Sequence, residues 1–439
     1  MSGLPPLIDQ ADLHAVWDDD ALAVLRRVRD EAGEAGRMLV HGMDIVVLSG
    51  AEAQDAFFAA SDEVISESPA AVAMKPILGT GVSYDADSPE ERHKHMRPPF
   101  TRTKYLRTYP VTVEAEIRDA IARLGDTGSI DVVDFFTELM LYVASAVLVS
   151  PRFRAELDRE FVDCYRDIDR SNTLVAYRDP YLPIQRFLRR DVSRARIVDI
   201  INEILAARAR SGPAEQPDLL DYIAHKHRSD EAGTAAEVAT SLVVSMLFAA
   251  HDTQSTSLAW AMSEAARRPD SVEVMLKELH AVTGGAGELN FDALRSMEQT
   301  EAFLKEALRI HPPIPFLLRR TETEYTYKKW TIPAQHYIAV APALSHQDPE
   351  LFPAPEEFDT GRYSKDRAED RQMTAWIPFG AGRHRCVGAP LALLTMKIIL
   401  PRLLETFDWY TNDPLPANDF TTMISPPREP ALLRYVKRR

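Results

Sequence analysis

The chain has 439 residues, room for one large domain or two ordinary ones, and its 45% apolar and 27% charged residues are usual for a globular protein. A formal net charge of −15 argues against nucleic acid as a partner, and two cysteines leave no disulfide framework and fit a reducing cytoplasm. The first residues lack a basic-then-apolar signal pattern, and no uninterrupted run of about eighteen apolar residues offers a membrane span.

In chain order, residues 11–32 alternate apolar and charged positions with helical period. Residues 37–49 read as a hairpin with Gly42 and Asp44 at its turn. From 110 to 230 the pattern is mostly helical, interrupted by Pro180 and Pro183. A long helix is expected over 235–268, ending before Pro269, and another over 298–310, stopped by Pro312 and Pro313. Short strands follow over 322–340, then a last long helix over 388–408 in which Pro401 should make a kink. The expectation is a mainly α fold with small β-sheets, an α+β architecture without internal repeats.

Residues 379–388, Phe-Gly-Ala-Gly-Arg-His-Arg-Cys-Val-Gly, carry the sharpest chemical signal. Glycines on both sides of Cys386 let the backbone turn tightly and bring N–H groups towards the sulfur, favouring the thiolate. A shielded thiolate is a good axial ligand for haem iron. The alternative is a structural cysteine beside a Gly-rich turn; the whole spacing from Phe379 and Gly380 to Gly388 favours the ligand. Cys164 lies in a charged helical stretch without ligand spacing. On the 298–310 helix, Glu306 and Arg309 share a face, a pattern that alone also fits a surface ion pair. Arg362, further on, offers a second planar fork to close an Arg–Glu–Arg network beneath the Cys386 loop. On the long helix, Ala250, Thr253, Gln254 and Ser257 share one face. Small residues at Ala249 and Ala250 leave room for a flat cofactor. Thr253 could hydrogen-bond oxygen with Asp252 as a proton relay; the alternative is a polar patch in an amphipathic helix, which would be preferred without Cys386, and the hydroxyl-rich segment should bend locally.

Taken together, Ala249-Ala-His-Asp-Thr253, Glu306–Arg309 with Arg362, and Phe379–Gly388 resemble the motifs of the cytochrome P-450 haem-thiolate monooxygenases, in the family's order and over nearly the whole chain. The resemblance implies a single triangular domain over 1–439, with a b-type haem (heme b, iron protoporphyrin IX) between the central helix, about 235–268, and the ligand loop 376–388. It implies Cys386 as axial ligand of the metal, Asp252 and Thr253 as the oxygen-activating acid and alcohol, and Glu306, Arg309 and Arg362 as the structural triad. It also implies O2 as co-substrate and electrons from a partner, since no flavin or iron–sulfur motif is present.

Within the family, Trp376–Gly388 with His384, Leu308–Pro313, Asp179–Ile184 and Pro76–Asp85 look most like the bacterial sterol 14α-demethylase branch. The chain departs from that branch where it has Ala71 for a tyrosine, Ala73 for an aromatic and Asp252 for a histidine. His93, Lys94 and Arg97, with Arg319 and His384, stand where the family places cationic donors for the haem propionates. By resemblance the substrate pocket takes Val72, Met74, Leu78 and Tyr84 from one loop and Leu174 and Tyr177 from a second. The central helix adds Phe248 and Ala249. Ile314, Phe316, Leu317 and Leu318 follow the Pro312–Pro313 stop, and Met423 and Ile424 close the pocket. Most are apolar, so a greasy and fairly large molecule is expected. Arg383, Arg385 and Lys397 should form a basic patch that docks an acidic ferredoxin-type donor, itself served by a reductase. The leading reading is a monooxygenase acting on a terpenoid, steroid or polyketide-like natural product; the alternatives are sterol 14α-demethylation and haem binding without turnover.

Overall fold

The computed structural model describes residues 3–79, 103–211, 215, 217–218, 220–221, 232–285, 287–372, 374–412 and 414–439. Helix α1 (His14–Ala32) buries Trp17, Ala21, Leu25 and Val28, the i, i+4, i+8 and i+11 positions of one face. It leads into strands β1 (Ala35–Val40) and β2 (Met43–Leu48), paired antiparallel from Ala35↔Leu48 to Val40↔Met43. The hairpin is therefore as expected, but its turn is His41–Gly42, both at positive φ, and Asp44 already lies in β2. The Asp12 carboxylate accepts from both turn N–H groups, which replaces the turn role expected of Asp44. Helix α2 (Ala51–Ala59), the two-residue strand β3 (Ile65–Ser66) and helix α3 (Ser68–Leu78) complete this end.

The helical half contains α4 (Tyr109–Ala122), α5 (Val132–Ala144), α6 (Arg159–Asp169), α7 (Gln185–Ser211), α8 (Ala232–Ala250), α9 (Asp252–Ala265), α10 (Pro269–Thr283) and α11 (Glu298–Ile310). A strand that the sequence pattern did not announce, β4 (Thr127–Asp131), precedes α5, and Asp131 caps that helix by accepting from Val133 N–H at 2.9 Å. The stretch 132–149, α5 and the π-helical turn after it, is long and apolar enough to cross a membrane by length and composition alone. It contains Asp134 and Glu138, and 56% of it is buried in the fold.

The single helix expected over 235–268 is two. The chain breaks at His251 (φ −90°, ψ −69°) between α8 and α9, while His251 N–H still reaches Leu247 O and Ser255 N–H still reaches His251 O. Side chains compete for carbonyls just there: Gln254 Nε2 donates to Ala250 O, Ser255 Oγ to Asp252 O and Ser257 Oγ to Thr253 O. Such back-bonding bends helices. Beyond the break every residue from Gln254 to Ala265 is buried, so α9 runs through the core without a solvent face. It packs Leu258, Ala261 and Met262 against α4, α5, α11 and α12 (Ala389–Thr406), the last helix, which continues through Pro401 without a break in its span.

Strands β5 (Leu317–Thr321), β6 (Tyr325–Tyr327), β7 (Trp330–Ile332) and β8 (Tyr337–Val340) follow α11, and β9 (Phe407–Tyr410) and β10 (Leu432–Lys437) end the fold. The larger sheet has the order β1-β2-β8-β5-β3, with β2 and β8 parallel; β4-β10-β9 and β6-β7 form two smaller ones. Sheets segregated from the helices around one core make an α+β architecture.

Candidate active site

The 353–363 loop, which leads towards Cys386, is tied to α11 by the triad. Both Glu306 oxygens accept from Arg309 at 2.8 Å, and Oε1 also accepts from Arg362 Nε at 3.1 Å. Tyr363 Oη and Asp359 N–H add bonds at 2.8 Å. The guanidiniums spend their remaining donors on backbone carbonyls: Arg309 on His346, Pro355 and Glu357, Arg362 on Pro353 and Ala354. All three charged side chains are at most 1% exposed, so this is no surface ion pair. A buried charge is tolerated only when each of its donors and acceptors is met.

Above the triad, Trp376 Nε1 donates to Lys305 O on α11, and Phe379 meets Trp376 edge-on. Cys386 N–H donates to Phe379 O at 2.8 Å. Gly380 and Gly382 sit at φ +65° and +66°, and a Cβ at Gly382 would stand 2.5 Å from Phe58 O, so glycine is required there. Cys386 is enclosed by protein yet keeps an accessible side chain. Burial pushes its thiol up, opposed by hydrogen bonds from the N–H groups of Gly388 and Ala389 and by the Arg385 charge. A cation at the sulfur would tip this balance to the thiolate. A reachable sulfur that already carries N–H donors fits a thiolate-ligated metal. Cys164 on α6 is half-buried, and burial, helped by the Glu160 charge, pushes its thiol up.

On the central helix Ala249, Asp252 and Thr253 keep accessible surface on one face, at i, i+3 and i+4. Ala250, expected against the cofactor, instead packs with Met74, Leu78 and Leu247 because it points a hundred degrees away from Ala249. Gln254 and Ser257, expected on that face too, are buried. Burial pushes the Asp252 carboxyl up to about 7. Behind it lie two groups that sequence reasoning left without a role. His251 Nε2 is 2.9 Å from Thr137 O and must donate to it, while Nδ1 faces Asp169 Oδ2 at 3.3 Å. With Nε2 donating, Nδ1 of a neutral ring is an acceptor, so a close bond to Asp169 requires a proton on one of the two groups. Burial pulls His251 down to about 4 and, with the Asp252 charge, drives Asp169 well up. Tyr165 closes the cluster, edge-on to His251. Nothing in the sequence announces Asp169, 82 residues upstream in a helix that reads as a solvated face.

Arg319 and His384 are brought together through Glu67. His384 Nε2 is 2.6 Å from Asp62 and Nδ1 3.3 Å from Glu67, which also lies 3.7 Å from Arg319. Arg319 sits in β5, stacked over Phe57, and burial pulls its pKa down. His93, Lys94, Arg97 and Tyr84 lie outside the described residues. Of the expected pocket set, Leu174, Phe316, Leu318 and Met423 share one apolar cluster with Trp17, and Tyr177 borders it. Strand alternation sends Leu317 to the opposite face, against the cluster of Phe57 and Ile377, so 316–318 do not line one wall. Met74 and Leu78 are buried, Phe248 and Ile314 half-buried, and Val72 is 42% exposed. Ile424 is buried beside Met423, whose N–H donates to Asn172 O. Ala73 is fully buried. The expected basic patch loses Lys397, which is 4% exposed and bound to Glu301 and Leu294 O; Arg383 and Arg385 remain at the surface.

The cytochrome P450 (P-450) family model matches residues 12–434. The chain belongs to this family. A sterol 14α-demethylase of Mycobacterium tuberculosis is 37% identical over 425 residues, covering 95% of this chain and 94% of that protein. An obtusifoliol 14-alpha demethylase of Sorghum bicolor is 29% identical over 404 residues, covering 90% and 82%. The structure of a retinoic acid-bound cyanobacterial member superposes with a TM-score of 0.81 at 20% identity, covering 100% of both chains. As a P-450, the protein is a monooxygenase that holds a cysteine-ligated haem b, as its thiol-bearing loop allows.

Proposed function

We propose that this P-450 uses Cys386 as the axial ligand and oxidises a hydrophobic natural product of terpenoid, steroid or polyketide type, with electrons from a ferredoxin-type donor and its reductase. The bound haem supplies the activation of O2, one atom entering the substrate and the other leaving as water. The residues of the chain do the rest. The Gly388 and Ala389 N–H groups stabilise charge on Sγ. Arg319 and His384 are the cationic donors for the carboxylate edge of the cofactor. Asp252, pushed up to about 7, exchanges a proton near neutral pH beside the Thr253 hydroxyl, and Asp169, whose carboxyl burial also pushes up, lies behind it against His251. Apolar side chains from the α3, α8 and 423–424 segments exclude water from the reacting carbon.

The observation that carries hydroxylation is the accessible Asp252–Thr253 pair at the helix break, a proton-donating acid where the resembling branch has histidine. Sterol 14α-demethylation is the second reading, favoured by the 37% identity with the mycobacterial relative. A spectral titration of the ferric protein with sterols, terpenoids and macrolide-like compounds tests both. Ligands that displace the iron-bound water move the Soret band towards high spin. A saturable shift with non-sterol scaffolds alone is the expected result. A shift with sterols alone would overturn the reading in favour of demethylation.

A further inference from the structure

His346 lies in the segment between β8 and the triad loop, fully buried, and its ring touches two elements at once. Nδ1 is 3.1 Å from the backbone carbonyl of Arg309, and Nε2 is 2.9 Å from the backbone N of Ile377. A carbonyl only accepts and an N–H only donates, so the tautomer is fixed: Nδ1 carries the proton and Nε2 is the acceptor. The His346 carbonyl also takes a bond from Arg309 NH1 at 2.7 Å. Burial and the Arg309 charge pull the ring down to about 3, which keeps the acceptor lone pair on Nε2 free. From Ile377 the bonding continues towards the sulfur. Ile377 O accepts from Gly380 N–H at 3.0 Å, and Phe379 O accepts from Cys386 N–H at 2.8 Å.

We propose that His346 is a positioning residue for the cysteine ligand: it transmits the placement of the Glu306–Arg309 pair to the start of the Cys386 loop through the Ile377 N–H. The inference rests on Cys386 as the ligand. The triad alone does not complete this tie, because none of its hydrogen bonds reaches a residue between Ala375 and Cys386. The other direct anchor of the loop entry to α11 is the Trp376 indole on Lys305 O. With the Ile377 N–H unpaired in an apolar setting, the loop is free to move the sulfur away from its ligating position.

Two amides separate the halves of the imidazole. The asparagine amide reaches the place of Nδ1 and keeps the bond to Arg309 O, and the glutamine amide reaches the place of Nε2 and keeps an acceptor for Ile377. The reduced CO complex of holoprotein reports thiolate ligation by its long-wavelength Soret band, and loss of the thiolate by a shorter-wavelength band. His346→Gln should keep the wild-type ratio of the two bands. His346→Asn should shift it about tenfold towards the thiolate-free form, the size expected for one buried N–H left unpaired. Equal ratios in the two variants, or a larger loss in His346→Gln, would overturn the proposal. Hydrogen exchange of the wild-type holoprotein gives a test that needs no variant: the Ile377 amide should be protected like a core amide, and exchange at the rate of exposed loop amides would refute the tie. Cys386→Ser separates the two readings. A thiolate band surviving that change removes the ligand assignment itself, whereas loss of the band there with no Asn–Gln contrast removes only the role of His346.

Discussion

Asp252 and Thr253 are adjacent, yet their environments differ from those of ordinary surface groups. The Asp252 carboxyl, pushed up to about 7 by burial, is a mixture of acid and anion at neutral pH, the condition in which a group both gives and regains a proton. If its acid form feeds oxygen activation, product formation falls as pH rises through about 7, because the acid form disappears there. Asp252→Asn should lower the product rate by roughly a hundredfold, a magnitude usual for general acid catalysis, and abolish that inflection. A pH–rate profile of the variant that keeps the wild-type inflection would assign it to another group. Thr253→Ala should leave O2 consumption closer to normal than product formation, since the hydroxyl directs protons without holding the cofactor. Measuring O2 use against product separates the two effects. Asp169→Asn replaces an acid whose titration is tied to the Asp252 charge with a group that does not titrate, while leaving Asp252 in place. It should therefore shift the pH inflection more than it changes substrate binding.

At the scale of elements, the triad is a weld between α11 and the 353–363 loop. Glu306→Ala would leave two buried guanidiniums without their shared acid, which costs about 3–5 kcal/mol. The variant should lose haem uptake and lower its unfolding midpoint together; normal haem content in a less stable protein would separate the weld from the ligand loop. The identity and order of these pieces were legible because each rests on local spacing: Glu306 and Arg309 three apart, Phe379 seven before Cys386. The partition of the central helix was less so. Hydroxyl and amide residues around 251–257 announced a bend, but the full break at His251 depends on which carbonyls those side chains capture once α9 is buried on every side. The burial of Ala250 and the opposite facing of Leu317 and Phe316 likewise depend on the rotation of an element against its neighbours. Asp169 and His346 were invisible for another reason, since each acts across the fold on a partner with no spacing relation to it. Lys397 was misplaced because a lysine in a helix reads as solvated until Glu301 and the Leu294 carbonyl are seen to claim it.

On the whole molecule, a net charge of −15 leaves few places for an acidic electron donor to approach. Arg383 and Arg385 project at the surface on the Cys386 loop itself. Arg383 is only loosely held, 3.6 Å from Asp62, and is free to turn to a partner. Rim charges of this kind steer encounter more than they hold a complex. Arg383→Glu with Arg385→Glu should therefore slow reduction by a ferredoxin-type donor by about tenfold at low salt, with the difference shrinking as ionic strength rises. Substrate binding by spectral titration should stay unchanged, because both side chains are exposed charges outside the apolar clusters. Lys397→Glu is the contrasting case. It places a second carboxylate against Glu301 in the core, so it should lower stability and haem content without a salt-dependent effect on the reduction rate of the protein that remains loaded. Stopped-flow reduction at two salt concentrations decides between them. A salt-sensitive defect in Lys397→Glu would mean that the buried lysine reports on docking, and an unaltered rate in the double arginine variant would move the electron entry point to another face.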